Sequence, residues 1–220
     1  MKFRSVFDII GPIMVGPSSS HTAGAARIGL FTRNLFNRSP KNIEVTLYGS
    51  FKDTYRGHGT DIAIIGGLLG CDTFDKGIRT SLEDAKNQGI NFKFIESEIT
   101  PIHPNTAKIE LEGDGEFLEV SGKSIGGGKM VIFEIQGFDV EISADFPTIF
   151  VFFDMTDENK EKLEDTVLNF RQILKSYKFS SSIIEGRNLL SIEMEYYKEE
   201  IVECLLSLGF VSHIKYSPKI

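Results

Sequence analysis

Glycine is distributed unevenly along this chain, and that distribution constrains the fold more than any other single feature. Before residue 145, glycines cluster in three polar segments: Gly11–Gly24, Gly49–Gly70 and Gly113–Gly128. After it, the sequence contains only Gly186 and Gly209. Glycine clusters permit tight turns and close backbone approaches, which a regular alternation of helices and strands does not require. We therefore predict two domains, residues 1–145 and 148–220, with a boundary near Ser143–Pro147.

The second part has the element order of a small sheet domain. The segments follow as TIFVFFD (strand), NKEKLEDTVLNFRQILKSY (helix), SSSIIEG and NLLSIEMEYY (strands), KEEIVECLLSLG (helix) and FVSHIKYS (strand). One face of the first helix is apolar: Leu163, Val167, Phe170, Ile173 and Leu174. This βαββαβ order predicts a ferredoxin-like fold. His213 then alternates along the last strand and is interpreted as structural.

The first part predicts a mixed α/β domain dominated by a twisted sheet, so the chain as a whole belongs to the α+β class. HTAGAARIGLFTRNLF is a helix whose small residues let another backbone approach, and IEVTLYGSF is a strand. TDIAIIGGLLG is a helix with Thr60 or Asp61 as its N-cap. NFKFIES, TAKIELEG, EFLEVSGKSIGGG and KMVIFEIQGFDVEIS are antiparallel strands with glycine turns. The opening VFDII is a short helix or strand.

Composition narrows the functional class. The 220 residues are 41% hydrophobic and 25% charged, as in globular proteins, and no segment approaches the roughly 18–20 apolar residues of a membrane span. A net charge of −7 without a basic run argues against nucleic acid and anionic membranes as partners. We expect no signal peptide, and Cys71 and Cys204 are too few for a disulfide framework. The expected location is the cytoplasm.

The segment GPSSSHTAG places five hydrogen-bonding side chains directly before the first long helix. These residues, which we call the serine loop, are Ser18, Ser19, Ser20, His21 and Thr22. The N-terminus of a helix offers unpaired N–H groups and a partial positive charge, so hydroxyls added there suit a small carboxylate. The simpler alternative is that one serine is an N-cap, which explains one or two of the five residues.

Two further glycine-flanked segments are candidates for the same site. GHGTD, between a strand-like segment and a helix, leaves His58 uncrowded, and a histidine can serve as a general base near neutral pH. Its alternative is an ordinary surface loop. SIGGG at 124–128 either allows its backbone to approach a neighbouring group very closely or forms a flexible hairpin. HPNT at 103–106 adds His103, although the proline favours a plain turn.

Several common sites are absent from the sequence. Neither GxGxxG nor GxxxxGK[ST] occurs, which argues against a nucleotide fold. His21, His58 and His103 lack zinc spacing and no HExxH is present, so no metal site is expected within this chain. The serines lack the GxSxG context of a hydrolase nucleophile.

GPSSSHTAGAARIG, LYGSFKDTYRGHGTDIAIIGGLLG, HPNT and SIGGG together resemble the β-subunit of iron–sulfur-dependent L-serine dehydratases, over residues 1 to about 135. The resemblance implies conversion of L-serine to pyruvate and ammonia, a step that feeds gluconeogenesis. It implies a [4Fe–4S] cluster ligated by cysteines of a separate α-subunit or α-domain. β-Elimination of serine needs a base for the Cα proton and a Lewis acid on the departing hydroxyl. On this chain, His58 suits the role of the base, and the serine loop, with Gly126 and Gly127, suits binding of the substrate.

The C-terminal part resembles the ACT domain that such chains often carry, which implies self-association through it. Ligand-binding ACT domains usually pass from the first strand to the first helix through a glycine-containing loop. Here that turn, Asp154 to Lys162, has neither glycine nor proline. We therefore expect the segment to act in assembly and not to bind an amino acid.

Two other functional classes remain open at this stage. A non-catalytic serine-sensing module would need anion-binding loops. It would not need a histidine flanked by two glycines, such as His58 in GHGTD. A structural adaptor that only docks the cluster-carrying subunit would leave the serines unexplained.

Overall fold

The computed structural model describes residues 13–154, 156–182 and 188–220. They divide into two compact units. The first runs to Gln136 and includes Glu141–Ser143, and the second comprises Gly137–Val140 and the chain from Ala144 onward. Both helices and strands occur in quantity, which confirms the α+β class. The predicted opening element VFDII lies outside the described residues.

The first unit combines helices with a mostly antiparallel sheet. Its helices are α1 (Gly24–Phe36), α2 (Gly49–His58), α3 (Thr60–Leu68) and α4 (Ser81–Asn87), with a 3₁₀ turn at Lys76–Thr80. The strands are β1 (Asn42–Tyr48), β2 (Asn91–Glu96), β3 (Thr106–Gly113), β4 (Glu116–Gly126) and β5 (Lys129–Ile135). Strand β6 (Phe138–Ile142) is shared, since Phe138–Val140 are assigned to the second unit. The strand order is β2-β1-β3-β4-β5-β6.

The sheet has one apolar and one charged face because side chains alternate along each strand. Val45 pairs with Ile109, and Ile109 with Val120, so these three buried residues form one row of the core. On the opposite face, Lys108 lies 3.1 Å from the carboxylate of Glu119 on the neighbouring strand. The helices cover the apolar face, and α1 packs on β3, β4 and β5.

Small residues bring α1 and α3 into backbone contact, as the sequence predicted. A Cβ atom added to Gly29 would lie 2.4 Å from the carbonyl oxygen of Ile64. A Cβ atom on Gly67 would lie 2.1 Å from that of Ala26. Neither position has room for a larger side chain, so this crossing fixes the start of α1 relative to α3.

Three predictions for the first unit are wrong. The strand IEVTLYGSF ends at Tyr48, because the chain turns at Gly49 (φ +52°) and α2 begins there. The N-cap of α3 is Gly59 and not Thr60 or Asp61. Strand β2 pairs parallel with β1 and not antiparallel. The intervening helices provide the long crossover that a parallel pair needs.

The second unit contains β7 (Thr148–Phe153), α5 (Asp157–Leu168), β8 (Leu174–Ser181), β9 (Asn188–Met194), α6 (Glu199–Leu206) and β10 (Val211–Ser217). The strand order is β10-β7-β9-β8, with every neighbouring pair antiparallel. Apolar residues of the central strands and both helices form its core, among them Val151, Ile192, Leu163 and Leu205. The βαββαβ order of elements follows the prediction.

Element boundaries in the second unit differ from the prediction. The first helix ends at Leu168, and the segment predicted as its last turns contains a turn and the start of β8. Phe170 and Ile173 keep the apolar spacing because they are buried in that turn. The third predicted segment, SSSIIEG, overlaps β8 only at its start, and residues 183–187 lie outside the described part. Most of the predicted turn at 154–162 is the first part of α5.

His213 lies on β10 as predicted, with its ring stacked on that of Phe152 at a centroid distance of 4.2 Å. This contact agrees with a structural role. Among the helices that the structure describes, none has the length and apolar character needed to cross a membrane.

Candidate functional site

The serine loop forms a single π-helical turn, Ser19–Ala23, that leads into α1. Ser18 is its N-cap, and the Ser18 hydroxyl accepts a hydrogen bond from the backbone N–H of His21 at 3.1 Å. The Ser18 carbonyl accepts from the N–H groups of Thr22 and Ala23. The N-cap interpretation is therefore confirmed for Ser18, but it leaves the other side chains of the loop unexplained. π-Helical turns are rare and frequently lie at functional sites.

A continuous chain of side-chain hydrogen bonds runs from this turn to α2. The hydroxyls of Ser18 and Ser20 are 3.3 Å apart, and the Ser20 hydroxyl lies 3.1 Å from Nδ1 of His21. Nε2 of His21 lies 2.9 Å from the hydroxyl of Ser50. We call these four residues the hydroxyl chain. Both ring nitrogens of His21 are engaged in it.

The surroundings of His21 favour its neutral form. Burial lowers the pKa of His21 below the ordinary 6.5, the charge of His58 lowers it further, and a hydrogen bond to the Ser50 backbone partly opposes both. The imidazole is therefore mostly neutral at pH 7, with one nitrogen donating and the other accepting. A neutral, doubly hydrogen-bonded ring is suited to orienting other groups.

His58 is placed differently from the prediction. It does not lie in a loop after a strand, because it is the last residue of α2, and Gly59 (φ +69°) ends that helix. Its side chain is exposed, and its ring centroid is 4.8 Å from that of His21 in an edge-to-face arrangement. The hydroxyl of the buried Thr22 donates to the His58 carbonyl at 3.1 Å, which holds the end of α2 against the serine loop.

An open cleft of about 700 Å³ borders His58 and is lined by residues 52–58 of α2 and by Glu96. Its walls carry charges of both signs, including Lys52, Arg56 and Glu96. Among the described residues, the imidazole of His58 makes no hydrogen bond. It therefore remains available to a group that enters from this side.

The end of β4 meets the start of α1 at Ser124. A Cβ atom on Gly24 would lie 2.0 Å from the Ser124 hydroxyl, so only glycine fits at this position of α1. The following Gly126, Gly127 and Gly128 all have positive φ and form the β4–β5 hairpin, which was the alternative interpretation of SIGGG. The hairpin is tied to α1, since Nη1 of Arg27 donates to the Gly128 carbonyl at 3.2 Å.

The HPNT segment forms the plain turn that its proline favoured. Nδ1 of His103 accepts the backbone N–H of Asn105 at 3.2 Å, and its pKa is lowered by burial and by Lys123. The backbone of this turn also accepts hydrogen bonds from the two elements that border the site, α2 and β4. Pro104 accepts from the N–H of Phe51 at the start of α2. Asn105 accepts from the N–H of Ser124 at 2.9 Å.

The structure brings the serine loop and His58 together and places SIGGG at the start of the same helix, whereas His103 contributes through its backbone turn. Sequence reasoning missed Ser50 and the contact of Ser124 with Gly24. The signal for Ser50 was weak: a glycine and a serine directly after a strand-like run. Interpreting Ser50 as the end of that strand leaves out the turn at Gly49 that brings its hydroxyl to His21.

The cysteines do not form part of the site. Cys71 lies in the first unit and Cys204 in the second. Burial raises the pKa of the Cys71 thiol, and Asp75 and Asp84 raise it further, which disfavours the thiolate that binds metals. In the part of the chain that the structure describes, no three His, Cys, Asp or Glu side chains are grouped so as to hold a metal ion.

Comparison with known proteins gives a consistent result. The sequence model of the serine dehydratase beta chain family matches residues 5–89, which include the serine loop and His58. The probable L-serine dehydratase beta chain of Bacillus subtilis (strain 168) is 57% identical over 151 residues, 69% of each chain. The L-serine dehydratase beta chain of Peptoniphilus asaccharolyticus is 44% identical over 151 residues, 68% of each chain.

A longer relative matches over more of this chain. An L-serine dehydratase of Escherichia coli (strain K12), TdcG, is 32% identical over 201 residues, which are 78% of this chain but 44% of that protein. The match with the Bacillus protein is close and covers more than two thirds of both chains. The chain therefore belongs to the serine dehydratase beta chain family.

Proposed function

We propose that this chain is the substrate-binding subunit of an L-serine dehydratase, which eliminates the hydroxyl of L-serine to give pyruvate and ammonia. The observation that carries the proposal is the junction of the serine loop with the end of α2. A hydroxyl-rich helix start and an exposed imidazole meet there, with the rings of His21 and His58 4.8 Å apart. One group suits the carboxylate of the substrate and the other its Cα proton.

The serine loop is the proposed carboxylate site. Its hydroxyls precede α1, whose first turn contains no acidic residue, so the partial positive charge of the helix start is not opposed locally. Ser18, Ser19 and Ser20 are half-buried and reachable, whereas Thr22 is buried and its hydroxyl is committed to the His58 carbonyl. Thr22 then positions His58, and Gly126 and Gly127 border the substrate.

His58 is the proposed general base. Its imidazole takes the Cα proton of L-serine, the electron pair of that C–H bond forms the Cα=Cβ bond, and the Cβ–O bond breaks with loss of hydroxide. The resulting 2-aminoacrylate tautomerises and hydrolyses to pyruvate and ammonia. His21 is the weaker candidate for this step, because both of its ring nitrogens already lie in the hydroxyl chain.

The proposed partner is an α-subunit that carries a [4Fe–4S] cluster. Such a cluster typically needs three or four cysteine ligands, and this chain has two, which lie in different units. The cluster does not fit the residues of this chain. A Lewis-acidic iron on the partner would supply the charge stabilisation that the departing hydroxyl needs. The match covers 44% of the Escherichia coli relative. The remainder of that protein is long enough to contain a cluster-binding domain in the same chain.

We further propose that residues 1–145 form the substrate-binding domain and residues 148–220 a ferredoxin-like ACT domain. The strand order β10-β7-β9-β8 supports the second assignment, since it corresponds to the order 4-1-3-2 within one βαββαβ unit. Its edge strands β8 and β10 support self-association. The proposed location of the complex is the cytoplasm, and L-serine is its small-molecule ligand.

The proposal is tested by producing the chain alone and together with the cluster-carrying chain under anaerobic conditions. We expect the isolated chain to be colourless and inactive, and the complex to be brown and to release pyruvate from L-serine. Pyruvate formation by the isolated, iron-free chain would contradict the division of roles. Tight L-serine binding without any turnover in the brown complex would favour a serine-sensing module instead.

A further inference from the structure

The hydroxyl chain has a direction, and the chemistry of its members leaves two choices. Each serine hydroxyl has one hydrogen to donate, and a neutral imidazole donates through one nitrogen and accepts through the other. Ser18, Ser20, His21 and Ser50 are linked in series by contacts of 3.3, 3.1 and 2.9 Å. The tautomer of His21 therefore sets which hydroxyl keeps a hydrogen outside the chain, since four hydrogens serve three contacts.

In the first direction, Ser18 donates to Ser20, Ser20 donates to Nδ1 of His21, and Nε2–H donates to Ser50. The hydroxyl hydrogen of Ser18 is then used inside the chain. In the second direction, Ser50 donates to Nε2 and Nδ1–H donates to Ser20. Ser20 then either donates to Ser18, which also accepts the His21 backbone N–H, or accepts from Ser18 as well. Either way, one hydroxyl hydrogen of Ser18 or Ser20 is left outside the chain.

A carboxylate at the serine loop requires donors, because it can only accept hydrogen bonds. The second direction leaves a donor on Ser18 or Ser20, whereas the first leaves its spare hydrogen on Ser50. In the second direction, His21 must carry its proton on Nδ1, and Nε2 must receive a hydrogen bond. The Ser50 hydroxyl is the group that provides it, at 2.9 Å.

We infer that Ser50 is a positioning residue that, by donating to Nε2, favours the Nδ1–H tautomer of His21 and thereby gives the serine loop one more hydroxyl donor for the substrate carboxylate. This inference rests on the proposed function, since it assumes that the loop binds a carboxylate. Ser50 does not need to touch the substrate. Its effect passes through His21 and Ser20.

The backbone holds Ser50 firmly enough for this role. Gly49 turns the chain at φ +52° with no space for a side chain, since a Cβ atom there would lie 2.8 Å from the Pro104 carbonyl oxygen. The next residue, Phe51, donates its N–H to the same carbonyl. The Ser50 carbonyl accepts from the Thr54 hydroxyl at 2.7 Å, within the first turn of α2. Among the described residues, the Ser50 hydroxyl has its hydrogen-bond contact with Nε2 of His21.

The test uses the full chain labelled with ¹⁵N in its histidines and backbone, at a pH where His21 is neutral. The nitrogen that carries the proton differs from the bare nitrogen in ¹⁵N chemical shift, so NMR reports the tautomer directly. We expect saturating L-serine to shift His21 toward the Nδ1–H tautomer. Ser50→Ala should weaken L-serine binding about tenfold, as expected for the loss of one hydrogen bond to the network. It should also reduce the tautomer shift.

Ser50→Thr retains the hydroxyl and is the matched control, so it should restore both the affinity and the tautomer shift. L-Serine binding with equal affinity in Ser50→Ala, or binding that leaves His21 in the Nε2–H form, would overturn the inference while leaving the proposed carboxylate site intact. The absence of any L-serine-dependent change at the amides of Ser18–Gly24 would instead contradict the proposed function. The two failures are therefore distinguishable.

Discussion

The starts of α1 and α5 use the same local device but differ in what surrounds it. In the π-helical turn that leads into α1, the Ser18 hydroxyl accepts the N–H of His21 at 3.1 Å. At α5, the Thr156 hydroxyl accepts the N–H of Asn159 at 3.0 Å. Each is a hydroxyl N-cap, and a reader of the sequence would give each the same weight. The difference begins in the next contacts.

At α5 the polar groups satisfy one another. The side-chain amide of Asn159 donates to the Asp154 carbonyl at 2.9 Å, and the first turn carries Asp157 and Glu158. Their negative charges already interact with the partial positive charge of the helix N-terminus. At α1 the polar side chains continue into the hydroxyl chain, which ends on another element at Ser50. A helix N-terminus is thus a candidate anion site when no acidic side chain neutralises its partial positive charge and when its hydroxyls are hydrogen-bonded to further groups.

The largest expected effect lies at His58. Replacing it with alanine removes the proposed base, so kcat for L-serine should fall at least about 100-fold, the lower end of typical general-base contributions. Steady-state kinetics of the complex with the cluster-carrying chain measure this. The cluster absorbance and the complex mass serve as controls and should not change. Normal turnover in this variant, together with an inactive His21→Ala variant, would reverse the two histidine roles.

The second prediction tests the two helix starts against each other. Ser20→Ala removes a proposed carboxylate contact and breaks the hydroxyl chain, so KM should rise by a factor that corresponds to roughly 1–3 kcal/mol. Thr156→Ala removes only a cap, which should cost about 1 kcal/mol of stability and leave KM unchanged. Kinetics and thermal unfolding of both variants measure the difference. An unchanged KM for Ser20→Ala in an intact complex would remove the distinction between the two helix starts.

The sequence predicted a helix after the serine loop and the apolar core that supports it, because apolar spacing and the small-residue face of α1 are local signals. It placed the start of α5 at Asn159, two residues late, and interpreted 154–162 as a turn. It did not predict the geometry at Gly49. There the alternating run IEVTLYGSF continues past Tyr48 in sequence, while in space the chain turns and forms α2. The same turn moves His58 to a helix end and brings Ser50 to His21. Contacts between residues 29 positions apart leave no periodic trace in a single sequence.

In the second unit, the sequence predicted the order of the elements but not where one of them ends. Its element order was predictable from apolar periodicity, but the end of α5 was not, since Phe170 and Ile173 remain buried beyond the last helical turn. Apolar spacing reports burial, and here a buried turn continued the spacing of a helix. Loss of helical conformation after Leu168 has no strong signal, as residues 169–185 contain neither glycine nor proline.

A smaller effect concerns the protonation of His21. The charge of His58 lowers the pKa of His21, because a second cation nearby is unfavourable. Replacing His58 with glutamine removes that repulsion, so the pKa of His21 should rise toward its ordinary value while burial still holds it below. NMR titration of the His21 ring in the full chain measures the change. An unaltered or lower pKa would show that the two rings are not electrostatically coupled.

The most direct test of the central claim is a crystal structure of the complex with L-serine bound. The account predicts the substrate carboxylate within hydrogen-bonding distance of the serine loop at the start of α1, with Cα facing the His58 ring. L-Serine bound at the start of α5, near Thr156 and Asn159, or bound away from this chain altogether, would contradict it.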